Sequence, residues 1–175
     1  DSLPKLMHDT PAPFAQSVHG GQAFRCVYIK FVKKEFTDEK RQDVNNMKIA
    51  LASQPTLDDS IALNVNRIEK ALASLRKKVD LVAFGESYLQ GFNSLKWNFE
   101  RDRTVAVSVD SQPIKMLRYT AKKYSVAVSF GYYELCGEAI YSSYMFIGKN
   151  GEIVNNFRRV SKGWKEYDIT DEHYK

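Results

Sequence analysis

The stretch Leu81-Val82-Ala83-Phe84-Gly85-Glu86-Ser87-Tyr88-Leu89-Gln90-Gly91-Phe92 sets a single acid directly after an apolar run that reads as a strand. A buried strand tolerates a carboxylate only at its end, where the charge meets water, a partner or a reacting group. A glutamate in that position can be tuned by its surroundings to take up a proton, which makes Glu86 a candidate general base. A strand-end acid can equally cap the following helix or pair with an arginine, and the local residues leave those readings open.

Other chemistry is sparse. The two cysteines, Cys26 and Cys136, lie far apart and show neither Cys-x-x-Cys nor Cys/His spacing, so no disulfide framework and no zinc site are expected. His8, His19 and His173 are equally dispersed, and no cofactor is expected. Cys136 has no base or cluster of positive charge beside it in sequence, which argues against a nucleophilic role. Cys26 reads as a buried strand residue.

The chain of 175 residues is 43% hydrophobic and 13% aromatic, enough for one domain with a real core. Its 26 basic and 21 acidic residues leave a net charge of +5. That surplus is scattered: the adjacent basic residues are short runs such as Lys33-Lys34, Lys40-Arg41, Arg76-Lys77-Lys78, Lys122-Lys123 and Arg158-Arg159, with acids near most of them. A nucleic-acid binder gathers its charge on one face beside stacking aromatics, so no nucleic-acid partner is expected. No apolar run is long enough to cross a bilayer and no signal peptide is apparent; the expectation is a cytoplasmic protein without a membrane partner.

The elements that must position Glu86 follow from periodicity. Lys48 to Gln54 reads as a strand stopped by Pro55. Asp58, Asp59 and Ser60 offer an N-cap and first-turn negative charge to a helix whose inner face carries Ile61, Val65, Ile68, Leu72 and Leu75. Its outer face is expected to hold Asn64, Arg67, Lys70 and Lys77. The Glu86 strand follows, so strand-helix-strand predicts parallel neighbours joined by a crossover. After an aromatic loop (Phe92, Trp97, Phe99), a second helix carries Pro113 in its first turn and turns Ile114, Leu117 and Ala121 inward. Ser125 to Tyr133 and Ala139 to Ile147 read as strands with Cys136 in the loop between them. Lys149-Asn150-Gly151 is a hairpin turn, and Glu152 to Val160 returns.

Residues 1–46 stand apart. Pro4, Pro11 and Pro13 break up the start, His19-Gly20-Gly21-Gln22 reads as a turn, Phe24 to Val32 as a strand and Glu35 to Asn46 as a linker. This segment reads as an upstream stretch or the tail of a preceding domain, with an acyltransferase of the GNAT type one candidate. The start at Asp1, the polar finish at Lys175 and the fresh strand after Met47 read as a piece of a longer reading frame.

Five segments then align in order: Lys48-Ile-Ala-Leu-Ala-Ser-Gln-Pro, Leu-Val-Ala-Phe-Gly-Glu86, Ser129-Phe-Gly131-Tyr-Tyr-Glu134, Ile140-Tyr-Ser-Ser-Tyr, and Asn150-Gly-Glu-Ile-Val-Asn-Asn-Phe157-Arg158-Arg159-Val160. Over 47–175 this resembles the N-terminal part of the nitrilase superfamily, the carbon-nitrogen hydrolases. The resemblance implies an α/β fold, the four-layer α-β-β-α sandwich of the nitrilase type, truncated to about its first half. It implies a Glu-Lys-Cys triad that hydrolyses an amide, carbamoyl or nitrile carbon of a small-molecule substrate through a thioester. Glu86 takes the place of the base, with Gly85 where the family usually has Pro.

The family's Tyr-Arg-Lys aligns with Phe157-Arg158-Arg159, so Arg159 stands at the catalytic Lys position. A guanidinium can stabilise an oxyanion but does not release a proton near neutral pH. Lys162 could supply the ammonium, with Lys165 behind it, unless both are solvated loop residues. Glu166 resembles the second acid that orients substrate and Lys in many members. The nucleophilic Cys is expected beyond Lys175, so the 175-residue chain alone is expected to be inactive and to self-associate as a homo-oligomer. Two other outcomes stay open: a non-catalytic relative used for binding or assembly, and an acyltransferase–hydrolase fusion.

Overall fold

The computed structural model describes residues 25–30, 47–166 and 168–175, with the backbone alone described at 25–30 and at Lys162. The turn at His19-Gly20-Gly21-Gln22 and the linker from Glu35 to Asn46 lie outside the described residues. Six strands form one sheet in chain order: β1 (Arg25–Lys30), β2 (Lys48–Ser53), β3 (Leu81–Ala83), β4 (Ala127–Cys136), β5 (Ala139–Ile147) and β6 (Ile153–Arg158). β2, β3 and β4 run parallel, while β1, β5 and β6 pair antiparallel with their neighbours.

Parallel neighbours need a crossover. Helix α1 (Ile61–Leu75) provides it between β2 and β3; the short α2 (Phe99–Asp102) and α3 (Gln112–Tyr124) lie between β3 and β4. The inner stripes of α1 (Val65, Ile68, Leu72) and α3 (Ile114, Leu117, Ala121) bury themselves on one face of the sheet, against Val82, Val128, Phe130, Met145 and Ile147. Alternation along the strands turns the neighbouring side chains to the other face.

Three local expectations are corrected. Asn64 is fully buried rather than wet: its amide donates to the carbonyls of Leu57 and Leu89 and its oxygen accepts from Leu57 N–H. Ser60 occupies the N-cap of α1 without a side-chain hydrogen bond, because Asp58 accepts instead from Asn93 and Asp59 pairs with Arg101. Cys136 ends β4 rather than lying wholly in a loop.

A second cluster, Leu95, Phe99, Ala106, Tyr133, Ile140 and Tyr174, sits on the face away from α1 and α3. It ties the chain after Glu86 and the C-terminal stretch to the same end of the sheet, with Ile140 N–H donating to His173 O at 2.7 Å. Among the described residues no helix is long and apolar enough to cross a membrane.

Candidate active site

Glu86 stands where the expectation put it, just past the C-terminal end of β3. The Phe84–Leu89 segment keeps pairing beyond the strand: Phe84 N–H donates to Ser129 O (2.8 Å), Gly131 N–H to Gly85 O (3.0 Å) and Leu89 N–H to Gly131 O (3.2 Å). Tyr144 reaches from β5 and donates its hydroxyl to Phe84 O at 2.7 Å, fixing the tip from the next strand but one.

Glycine is required at 131. A Cβ there would lie 2.5 Å from Ser87 N and 2.7 Å from Glu86 Cα, so only a residue without a side chain lets the Glu86 backbone press onto β4. Gly85 is different, since a Cβ at that position meets nothing within 4 Å. The departure from Pro at 85 therefore follows from no steric demand. Ser87 holds φ 51, a left-handed conformation that side chains resist and that clusters at functional sites.

Glu86 Oε1 accepts from Arg159 Nη1 at 2.7 Å, across 73 residues of sequence, and Arg159 Nε donates to Ser161 Oγ at 2.9 Å. Both members of this pair are part-exposed, at the wall of an open cleft of about 740 Å³. Phe92, Trp97, Tyr133 and Trp164 give the cleft its aromatic walls, and Lys165 and Glu166 also line it. Trp97 and Trp164 pack on each other with ring centroids 5.8 Å apart. Burial raises the Tyr133 phenol above its ordinary range, so it stays protonated and donates to Phe92 O at 2.9 Å.

Of the sequence-derived candidates, Glu86, Arg159, Lys165 and Glu166 thus share one cleft. The Lys165 ammonium donates to Tyr174 O at 3.1 Å. Lys162 opens the 3₁₀ turn Lys162–Trp164, and its side chain lies outside the described atoms. Cys136 is exposed at the far end of β4, beside Arg158 rather than in this cleft.

Sequence reasoning missed the group beneath the site. Glu134 is 2% exposed and accepts from Arg158 Nη2 (2.6 Å), Ser143 Oγ (2.6 Å) and Asn156 Nδ2 (2.9 Å). Burial alone would raise this carboxyl; the bonds from Arg158, Ser143 and Asn156 outweigh it and hold the group below its ordinary range. Arg158 also lies over the Tyr141 ring at 4.1 Å. Arg158 is thereby fixed on one face of β6, and the backbone delivers its neighbour Arg159 to Glu86. Glu134 and Arg158 both fall in the quoted motifs, but 24 residues separate them and no local spacing pairs them.

This fold is shared with solved carbon-nitrogen hydrolases. An N-terminal amidase crystallised with a Gln-Gly peptide matches 65% of this chain and 27% of its own, at TM-score 0.56 and 18% identity. A CN-hydrolase superfamily protein from Xanthomonas campestris, with an arsenic adduct in its active site, matches 66% of this chain and 41% of its own at TM-score 0.57 and 16% identity. The described helix layer and sheet accordingly match part of the nitrilase-type α/β sandwich.

The model of the carbon-nitrogen hydrolase family matches residues 48–168, and the chain belongs to that family. A bromoxynil-specific nitrilase of Klebsiella pneumoniae subsp. ozaenae is 25% identical over 111 residues, 58% of this chain and 32% of that protein. An arylacetonitrilase of Fusarium vanettenii is 32% identical over 88 residues, 46% of this chain and 26% of that protein. The chain therefore spans about a quarter to a third of the length of the curated relatives it matches.

Proposed function

We propose that this chain carries the general base and the charge-stabilising side of a cysteine-dependent carbon-nitrogen hydrolase acting on a small amide, carbamoyl or nitrile substrate. The observation that carries the reading is the Glu86–Arg159 pair at 2.7 Å in a cleft with Lys165, Glu166 and aromatic walls. In this reading Glu86 takes the proton of a thiol supplied from further along the polypeptide, because only the thiolate attacks. The C–S bond forms as charge moves onto the carbonyl oxygen or nitrile nitrogen. Arg159, or an ammonium from Lys165 or Lys162, holds that charge. With an amide, the proton passes to the leaving nitrogen and a thioester remains. Glu86 then takes a proton from water, the water oxygen bonds to the acyl carbon, and the C–S bond breaks to return the thiol. Glu166 orients substrate and cation.

In the full-length protein, Glu86→Gln is expected to abolish turnover while circular dichroism and melting temperature stay unchanged; activity within a few-fold of wild type defeats the assignment. One observation favours a second reading. Arg159 stands where the family has Lys and occupies the carboxylate of Glu86, as a non-catalytic relative kept for binding or assembly would allow. A panel of amides, carbamoyl compounds and nitriles separates the two, since the relative turns over none of them.

A further inference from the structure

The end of the sheet opposite Glu86 gathers the positive charge that looks scattered in sequence. Lys48 opens β2, Arg76, Lys77 and Lys78 form the turn after α1, Lys123 lies in the last turn of α3, and Lys149 sits in the β5–β6 hairpin. All six line one cleft of about 940 Å³ whose single acid is Asp80. They are exposed. Asp80 is already occupied, accepting from Lys48 N–H at 2.7 Å. Among the described residues, Lys123 alone of the six has an ion-pair partner, Glu69 at 3.1 Å.

Three neighbouring-strand spacings separate β2 from β5, so the row of cations extends roughly 14 Å. Six residues of extended chain from Asp80 to Glu86 put it roughly 20 Å from the candidate active site. Attraction of cations to the C-terminal ends of helices accounts for Arg76 and Lys123. It does not account for Lys48 or Lys149, which stand at no helix end, although Lys77 and Lys78 lie in the turn at the C-terminal end of α1, where Lys78 N–H donates to Leu75 O at 2.9 Å. Lys77 moreover holds φ 63, a left-handed conformation suited to glycine, so the turn keeps an ammonium where a residue without a side chain would sit at ease. So many like charges around one concavity repel each other until an anion enters.

We propose that this cleft binds an oligophosphate anion, a chain of linked phosphates free or on a nucleoside, at a site separate from the hydrolase cleft. The start of β2, the turn after α1, the last turn of α3 and the β5–β6 hairpin supply the cations side by side, which a linear anion can contact at several points and a single phosphate cannot. The concave shape admits a small molecule, whereas a bilayer surface meets only its rim.

Titration calorimetry on the full chain in 50 mM salt, with inorganic tripolyphosphate, metal-free ATP and orthophosphate, is the test. The expected result is binding of tripolyphosphate, ATP or both, weakened by raising the salt, with orthophosphate far weaker. ATP tighter than tripolyphosphate identifies a nucleotide as the occupant; equal or tighter tripolyphosphate identifies the phosphate chain alone. The Lys77→Glu/Lys78→Glu variant, and separately Lys149→Glu on another element, should each lose at least about ten-fold in affinity with an unchanged melting temperature in the absence of ligand. Arg159→Ala should bind as wild type, which separates this site from the hydrolase cleft. No binding of either oligophosphate, orthophosphate binding equally well, or affinity indifferent to both lysine variants overturns the proposal, whatever becomes of the hydrolase reading.

Discussion

At Glu86, one carboxylate oxygen accepts from Arg159 at 2.7 Å, so in the proposed mechanism a thiol would share the carboxylate with a guanidinium. Arg159 cannot donate its proton near neutral pH, which leaves it a stabiliser of charge and a holder of Glu86. Arg159→Ala in the full-length protein is expected to lower kcat by about 10²- to 10³-fold, the scale of losing one oxyanion donor. Arg159→Lys should recover most of that loss. Steady-state kinetics on both variants check it, and an alanine variant within a few-fold of wild type would move the role to Lys165 or Lys162. Gly131→Ala tests the seat of Glu86 rather than its chemistry. A Cβ 2.5 Å from Ser87 N forces the segment off β4 and should cost about 1–3 kcal/mol in urea unfolding, together with most of the activity. Glu86 itself was legible because an acid after an apolar run has few places to go. Its partner was legible only through the family motif, since 73 residues intervene and chain spacing says nothing of a contact made by the sheet.

Where the chain is strongly periodic the elements were legible: α1, α3 and the exact span of β5 follow from spacing, and Lys149-Asn150-Gly151 makes the expected turn. Periodicity failed at α2, four residues long, and at Asn64, whose polarity reads as exposure until the loop carbonyls that bind it are in place. It failed again at β4, β5 and β6, where Glu134, Ser143, Asn156 and Arg158 share one face only because the register aligns them. That network makes a prediction at its own scale. Glu134 is held below the ordinary carboxylate range, so its ionised form contributes stability that is fully present above the unfolded value of about 4.3. The contribution is lost as the pH falls through that value towards the lower folded one. Glu134→Gln should therefore lose about 3 kcal/mol at neutral pH, the low end for a broken buried pair because Arg158 is 40% exposed. It should also flatten the acid limb. Urea titrations from pH 3 to 7 measure both, and an acid limb parallel to wild type would assign the pH dependence to other carboxyls.

At the scale of the whole molecule, the two long helices α1 and α3 both pack on one face of the sheet. By strand alternation the other face carries Leu51, Tyr144 and Phe157, which are 37%, 37% and 53% exposed. Among the described residues, Leu95, Phe99, Ala106, Trp164 and Tyr174 cover the end of that face near Tyr133 and Ile140. Large side chains grouped in this way on a sheet face mark a surface that is covered in use. In a four-layer sandwich a second sheet stands there, and the chain spans only about a quarter to a third of its relatives' length. Among the described residues nothing else covers this face, and association with another copy or collapse would hide it. Size-exclusion chromatography with light scattering should thus find dimer or aggregate. Replacing Leu51 and Phe157 together by Lys should shift the chain towards monomer, because two charges on each copy then meet across the contact. A wild-type chain that elutes as a monomer and melts sharply would mean that the face needs no cover, and that the boundary between this half and its complement lies elsewhere.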